Sequence, residues 1–284
     1  MASEGFGSQL SHAIAATSPL CVGLDPSPAL LNAWGLNDDA QALEAMGQTV
    51  IEAAQGVAAA IKPQVAYFER HGARGIAALE SLLRLARSTG LLVIADAKRG
   101  DIDATMDAYG QAWIGDDAPL RADALTVMPY MGLGAMEAVF ERAERHGAGI
   151  FCVVASSNRE GRSIQTARGP HDSVEAMVLA NLAQRNRDYC SRTGEMYGPF
   201  GAVVGATREA GDLDLGSLGG CFLVPGFGAQ GASAEDVGVL FGSAPANSVL
   251  VNSSRAILSK GPDRGTIRAE ISRQAELLNK ALGG

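Results

Sequence analysis

The sequence predicts a single-domain α/β protein folded as a (β/α)8, or TIM, barrel. Three observations carry this: eight short apolar runs, helical stretches between them, and no Pro- or Ser-rich linker along the 284 residues. Parallel strands covered on both faces read as near-continuous Val, Ile, Leu and Ala, and each needs a crossover helix before the next can lie beside it. Eight such units favour a closed barrel over an open, doubly wound sheet. A chain with 47% hydrophobic and 19% charged residues has the balance of a globular protein, and its length suits one barrel.

In chain order the runs are PLCVGLD (19–25), VAAAIKP (57–63), LLVIADA (91–97), ADALTVMP (122–129), GIFCVVAS (149–156), FGAVVGA (200–206), GCFLVPG (220–226) and NSVLVNS (247–253). Residues 1–18 precede the first as an N-terminal extension or helix within one domain spanning 1–284. Helices are expected at 40–55, 75–88, 132–146, 173–190 and 266–282. In IAALESLLRLA the apolar positions repeat every three or four residues, the spacing of a helix with one face on a sheet. The polar stretch REGRSIQTARGPHD (159–172) reads as a loop, either a flap or a surface insertion.

A barrel of this kind builds its active site at the C-terminal ends of the strands, where the βα loops converge. The chemistry of the chain is concentrated there. Runs end in Asp25, Lys62, Asp96 with Lys98, Ser156 with Ser157, Pro225 with its glycines, and Arg255. If extended geometry persists, Asp96 and Lys98 face the same side of their strand, beside Lys62. Asp101 lies beyond it in the loop. A surface salt-bridge network is the competing reading, but charged groups ending neighbouring apolar strands must share a confined site.

A lysine flanked by carboxylates is held as the ammonium, which makes Lys98 a poor Schiff-base nucleophile and a good proton donor. An aspartate fixed beside an anionic substrate group disfavours that group until its charge departs. Loss of CO2 followed by protonation of the carbanion uses both properties.

Gly226, Gly228 and Gly231 formally spell GxGxxG after a strand. A dinucleotide site would also want an acid ending the next strand, and that strand ends in Asn252. A phosphate-gripping loop is the better reading, with Arg255 adding a charge-assisted contact.

The net charge of −8 and the lack of a basic run argue against nucleic acid as a partner. No apolar run approaches the roughly 20 residues that span a bilayer. The N-terminal stretch lacks the pattern of a secretion signal, so the cytoplasm is the expected location. Cys21, Cys152, Cys190 and Cys221 show no CxxC pairing, and His12, His71, His146 and His171 no metal-ligand spacing. Trp34, Trp113, Met128 and Met131 read as packing residues, Arg99 and Arg121 as solvated.

DAKRGDI followed by Thr105 closely resembles the signature of the orotidine 5'-phosphate decarboxylase family. CVGLDPSP, IKPQVAYFERHG and VPGFGAQGA resemble that family's bacterial branch of longer chains, and the likeness runs from about Leu20 to Arg255. It implies a homodimeric barrel with shared active sites that converts orotidine 5'-monophosphate to UMP and CO2 in de novo pyrimidine nucleotide biosynthesis, with no metal or organic cofactor. By resemblance, Lys98 protonates C6, Asp96 faces the substrate carboxylate, and Lys62 and Asp101 complete the alternating charges. Asp101, Ile102 and Thr105 would serve the neighbouring subunit's site. Asp25 would hold the ribose hydroxyls and Ser157 the pyrimidine. Gln230, Arg255 and the loop containing Pro225, Gly226 and Gly228 would hold the phosphate. Arg159 stands where the branch usually has proline, which puts the local loop shape in question.

Two other readings compete. A metal-dependent sugar-phosphate decarboxylase or aldolase of the same suprafamily shares a DxKxxD pattern, but such relatives end the second strand in a metal-binding glutamate, where this chain has Lys62. A non-catalytic binding barrel would have no use for intact Asp96, Lys98 and Asp101.

Overall fold

Eight parallel strands close on one another in chain order: β1 (Leu20–Leu24), β2 (Ala60–Pro63), β3 (Leu92–Arg99), β4 (Ala124–Val127), β5 (Gly149–Ala155), β6 (Phe200–Val204), β7 (Phe222–Val224) and β8 (Val249–Ser253). Pairing of Leu20 with Val251 and of Val22 with Ser253 joins β8 to β1 and seals the barrel. This computed structural model describes residues 4–170, 172–209, 211–228 and 231–283.

Every expected run contains a strand, and all but β3 are shorter than the run. Apolar character marks burial rather than pairing: Ala58, Ala59, Ala122 and Ala206 are buried but lie in the connections. β3 instead runs on to Arg99. Its register against β4 slips, since β3 advances four residues from Ala95 to Arg99 while β4 advances two, from Leu125 to Val127. The expectation that extended geometry persists through Lys98 is therefore wrong: Lys98 adopts φ 47, inside this bulge.

The helices start where side chains can receive the free N–H groups of the first turn. Asp39 accepts from the Ala42 N–H before Ala40–Ala54, Ser173 from Ala176 before Val174–Thr193, and Asp263 from Thr266 before Arg264–Ala281. The expected helix at 132–146 is one short 3-10 turn, Leu133–Met136, followed by Glu137–His146, and Gly132, at φ 86, separates it from an earlier 3-10 turn at Pro129–Met131. Asp103–Trp113 and the seven-residue Ala234–Leu240 escaped the periodicity, as did the shorter Pro28–Ala33, Ala66–Glu69 and Arg255–Leu258. The stretch read as a loop starts with a helix, Arg159–Gln165, that buries none of its residues.

Arg159 occupies the first position of that helix. Proline is tolerated there because its missing N–H would have no intrahelical partner anyway. Arginine in its place therefore leaves the backbone path open to either residue.

Inward-facing side chains of the strands form layers two residues apart, as the strand period requires. The lower layer includes Cys21, Ala60, Ile94, Ala124, Phe151, Cys221 and Leu250, and it packs with Phe6, Leu10 and Ile14 of the helix Phe6–Ala16. The N-terminal segment is thus the stopper of the barrel's lower mouth. The Phe6 ring meets Phe151 edge to face at 5.8 Å. A Cβ on Gly149 would stand 2.2 Å from Phe6, so only glycine admits the ring. The outer core runs between the barrel and its helices and takes in Trp34 and Trp113, both buried as expected. Phe6→Ala should lower unfolding stability by about 3–5 kcal/mol, read as a fall in the urea midpoint.

Candidate active site

Two residues above the apolar layer the inward positions of four strands turn polar: Lys62 follows Ala60, Asp96 follows Ile94, Thr126 follows Ala124 and Asn252 follows Leu250, while Val153 and Leu223 keep the opposite wall apolar. They line a cavity of about 400 Å³ at the C-terminal mouth. Asp25, Lys98, Ser157, Pro225, Gly226 and Arg255 share it. The strand ends thus deliver the expected residues of one chain to one place.

Asp96 sits at the centre. Its Oδ2 accepts from Lys62 Nζ at 2.6 Å and Gln64 Nε2 at 3.1 Å, and its Oδ1 from Lys98 Nζ at 2.5 Å and Thr126 Oγ1 at 3.0 Å. Both Lys62 and Asp96 are buried, whereas the Lys98 side chain is 44% exposed. One ammonium is structural and enclosed, while the other faces the open part of the cavity. Left-handed backbone at residue 98 does not carry the side chain away, and the ion pair with Asp96 survives the bulge.

Burial raises the affinity of the Asp96 carboxyl for a proton, but the charges and hydrogen bonds of Lys62 and Lys98 outweigh it and hold the group well below its ordinary value of 3.8. Burial likewise works against the charged form of Lys62. The charges of Asp96 and Asp25 and the hydrogen bond to Asp96 reverse this and hold the ammonium above its ordinary 10.5.

The remaining expected residues divide. Asp101, Ile102 and Thr105 lie outside the cavity of the single chain. Asp101 Oδ1 accepts the Ile102 N–H at 2.8 Å, and the Ile102 side chain is 48% exposed. Gly226 and Gly228, at φ 104 and 69, have the backbone that favours glycine, but Gly228 stands back from the cavity wall. Gln230 lies outside the described residues, as does His171.

Other expectations need correction. Met128 and Met131 do not fill gaps in the rim but are exposed, together with Tyr130. Arg99 is not simply solvated: its guanidinium pairs with Glu69 and lies 5.4 Å from the centre of the Tyr109 ring.

Gln64 and Thr126 were missed, and so were Asn252 and Ser254 of the cavity wall. Thr126 carried a signal, being the one hydroxyl inside the run ADALTVMP. Three buried acceptors near the mouth, Asp25 Oδ1, Asn252 Oδ1 and Ser253 Oγ, find no partner among the described residues. Such groups are costly unless a water or a bound molecule supplies the donor. No group of three or more His, Cys, Asp or Glu residues suited to a metal ion occurs among the described residues, and no helix there is long and apolar enough to cross a membrane.

The family model described as orotidine 5'-phosphate decarboxylase / HUMPS family matches residues 18–269. The chain belongs to that family. It is 46% identical over 282 residues to an orotidine 5'-phosphate decarboxylase of Streptomyces coelicolor, covering 98% of this chain and 99% of the relative. A decarboxylase of the same name from Salinispora arenicola is 44% identical over 283 residues, 99% of each chain. The crystal structure of a candidate orotidine 5'-phosphate decarboxylase from Streptomyces avermitilis aligns with a TM-score of 0.91 at 44% identity, covering 100% of this chain and 98% of that one. The family's fold agrees with the closed barrel expected from the strand pattern.

Because the folded state holds Asp96 ionised, its share of stability is fully present above pH 3.8 and is lost as the pH falls below that value. Between about pH 4 and pH 2 the wild-type unfolding free energy should fall more steeply than that of Asp96→Asn. The difference should approach about 1.4 kcal/mol per pH unit, measured by urea denaturation at each pH.

Proposed function

We propose that this chain, like the relatives named orotidine 5'-phosphate decarboxylase, decarboxylates orotidine 5'-monophosphate, giving UMP and CO2, and that it does so without a metal or organic cofactor. The observation that carries the reading is the Asp96 carboxylate gripped through both oxygens by Lys62 and Lys98 on the floor of the cavity. With both oxygens engaged by ammonium groups, Asp96 is poorly placed to ligate a divalent cation, and Lys62 would repel one. The sugar-phosphate alternative needs such an ion.

The substrate carboxylate at C6 faces Asp96, whose negative charge opposes it in the ground state. The C6–carboxylate bond breaks, CO2 leaves, and the electron pair stays on C6. Lys98 gives that carbon a proton from Nζ and regains one from water. Lys62, enclosed and held charged, keeps Asp96 ionised throughout. Binding at a distance from the reacting carbon steers it into place. Asp25 has a buried acceptor without a partner among the described residues and receives the ribose hydroxyls, Ser157 contacts the pyrimidine, and Arg255 with Gln230 and the Pro225–Gly228 loop holds the phosphate.

A second copy of the chain completes the site. Ile102, Met128, Tyr130 and Met131 are exposed around the ends of β3 and β4, with Tyr130 at 82%, and exposed apolar surface of this kind is what a symmetric partner covers. Asp101 adjoins that surface, and in the dimer it enters the neighbour's cavity with Ile102 and Thr105. A cytoplasmic location goes with the nucleotide substrate.

After treatment with EDTA, the purified protein should still consume orotidine 5'-monophosphate, read as loss of its near-ultraviolet absorbance. Loss of turnover restored by a divalent ion would favour the sugar-phosphate reading. Lys98→Ala should lose turnover by at least about a thousandfold while keeping most of its affinity for UMP. Equal mixing of Lys98→Ala and Asp101→Ala chains should recover up to about one quarter of wild-type activity, since a mixed dimer holds one intact site of two. Mixed dimers without activity would refute the shared site.

A further inference from the structure

Thr126 lies on β4 opposite the bulge of β3 and is 1% exposed. Its hydroxyl accepts the backbone N–H of Lys98 at 2.9 Å and lies 3.0 Å from Asp96 Oδ1. Chemistry fixes the polarity of both contacts. A backbone N–H can only donate and an ionised carboxylate can only accept, so the hydroxyl proton must point to Asp96. One oxygen atom is thereby tied to the peptide of the proton donor and to the carboxylate that faces it.

The bulge explains the arrangement. With two extra residues on β3 between the pairs Ala95–Leu125 and Arg99–Val127, the regular ladder has no partner for Lys98. The Thr126 side chain supplies the acceptor that the ladder lacks. Lys98 also holds φ 47, a conformation that costs a residue with a Cβ unless its surroundings enforce it. Loss of the acceptor would free residue 98 to relax toward ordinary extended backbone, which swings its side chain away from Asp96.

The geometry points to Thr126 as a positioning residue that sets the reach of Lys98 toward the reacting carbon and its spacing from Asp96; this rests on the decarboxylase reading above. Thr126 touches no substrate atom in this role and acts only through Lys98 and Asp96. The requirement is for a hydroxyl at this place. Valine has nearly the same shape and suits a strand, so it removes the hydroxyl and little else.

The test compares wild type with Thr126→Val, Thr126→Ala and Thr126→Ser, measuring kcat for orotidine 5'-monophosphate, the Kd of UMP, and thermal unfolding. Thr126→Val should lower kcat roughly 10- to 100-fold, the scale of two hydrogen bonds at an ionised centre, while the Kd of UMP stays within about threefold. Thr126→Ser should hold kcat within about fivefold of wild type because it keeps the hydroxyl. Thr126→Ala makes the same comparison if the valine chain fails to fold. A valine variant with wild-type kcat overturns the inference. So does a serine variant as impaired as valine, or a parallel loss of kcat and UMP affinity, which would mean a general structural role. Wild-type protein that binds UMP but releases no CO2 overturns the functional reading itself, and this inference with it.

Discussion

A single carboxylate organises the upper half of this barrel. Asp96 is buried beneath the mouth and takes hydrogen bonds from Lys62, Gln64, Lys98 and Thr126, two on each oxygen. An ionised carboxylate has about four sites for donors, so this one is close to saturated. Without Lys62 the carboxylate would lose its enclosed partner and keep only the half-exposed Lys98, and breaking a buried pair in this way typically costs 3–5 kcal/mol. Without Asp96, Lys62 would lose its hydrogen-bonded counter-charge and keep only the more distant help of Asp25 against burial. The pair is therefore mutually supporting, and Lys98 is the member of the set left free to act.

The rest of the fold serves that arrangement through the strand period. Residues of one parity face inward, and successive layers differ in character. The lower layer is small and apolar enough for Phe6, Leu10 and Ile14 to enter from below, which seals the barrel and keeps water from reaching the charged layer from that side. Above it the inward positions of β2, β3, β4 and β8 carry polar and charged groups, and those of β5, β6 and β7 stay apolar. The bulge in β3 then turns Lys98 through a left-handed backbone position that no other strand residue adopts among those described.

Much of this was written in the chain. The eight strands were legible because residues covered on both faces must be apolar, and the charged ends of those runs marked the mouth. Strand bounds were less legible, since alanines such as Ala58 and Ala206 are buried in loops and look the same. Arg159–Gln165 was illegible as a helix because it buries no face, so its sequence carries no period. The left-handed conformation of Lys98 could not be read either, because lysine has no preference for it and the register slip depends on the neighbouring strand. Thr126 and Asn252 could have been found. Each stands two residues beyond an inward alanine or leucine, Ala124 and Leu250, and a polar side chain at such a position must face the cavity.

Lys98 directed at C6 by an acid it shares with Lys62 is the centre of this account, and a crystal structure of the protein with UMP bound tests it most directly. The account predicts Lys98 Nζ within about 3.5 Å of C6, Asp96 still between the two lysines, and Asp101 of the partner subunit in the same cavity. A Lys98 side chain turned out to solvent, or a divalent cation seated between residues 62 and 96, would contradict it.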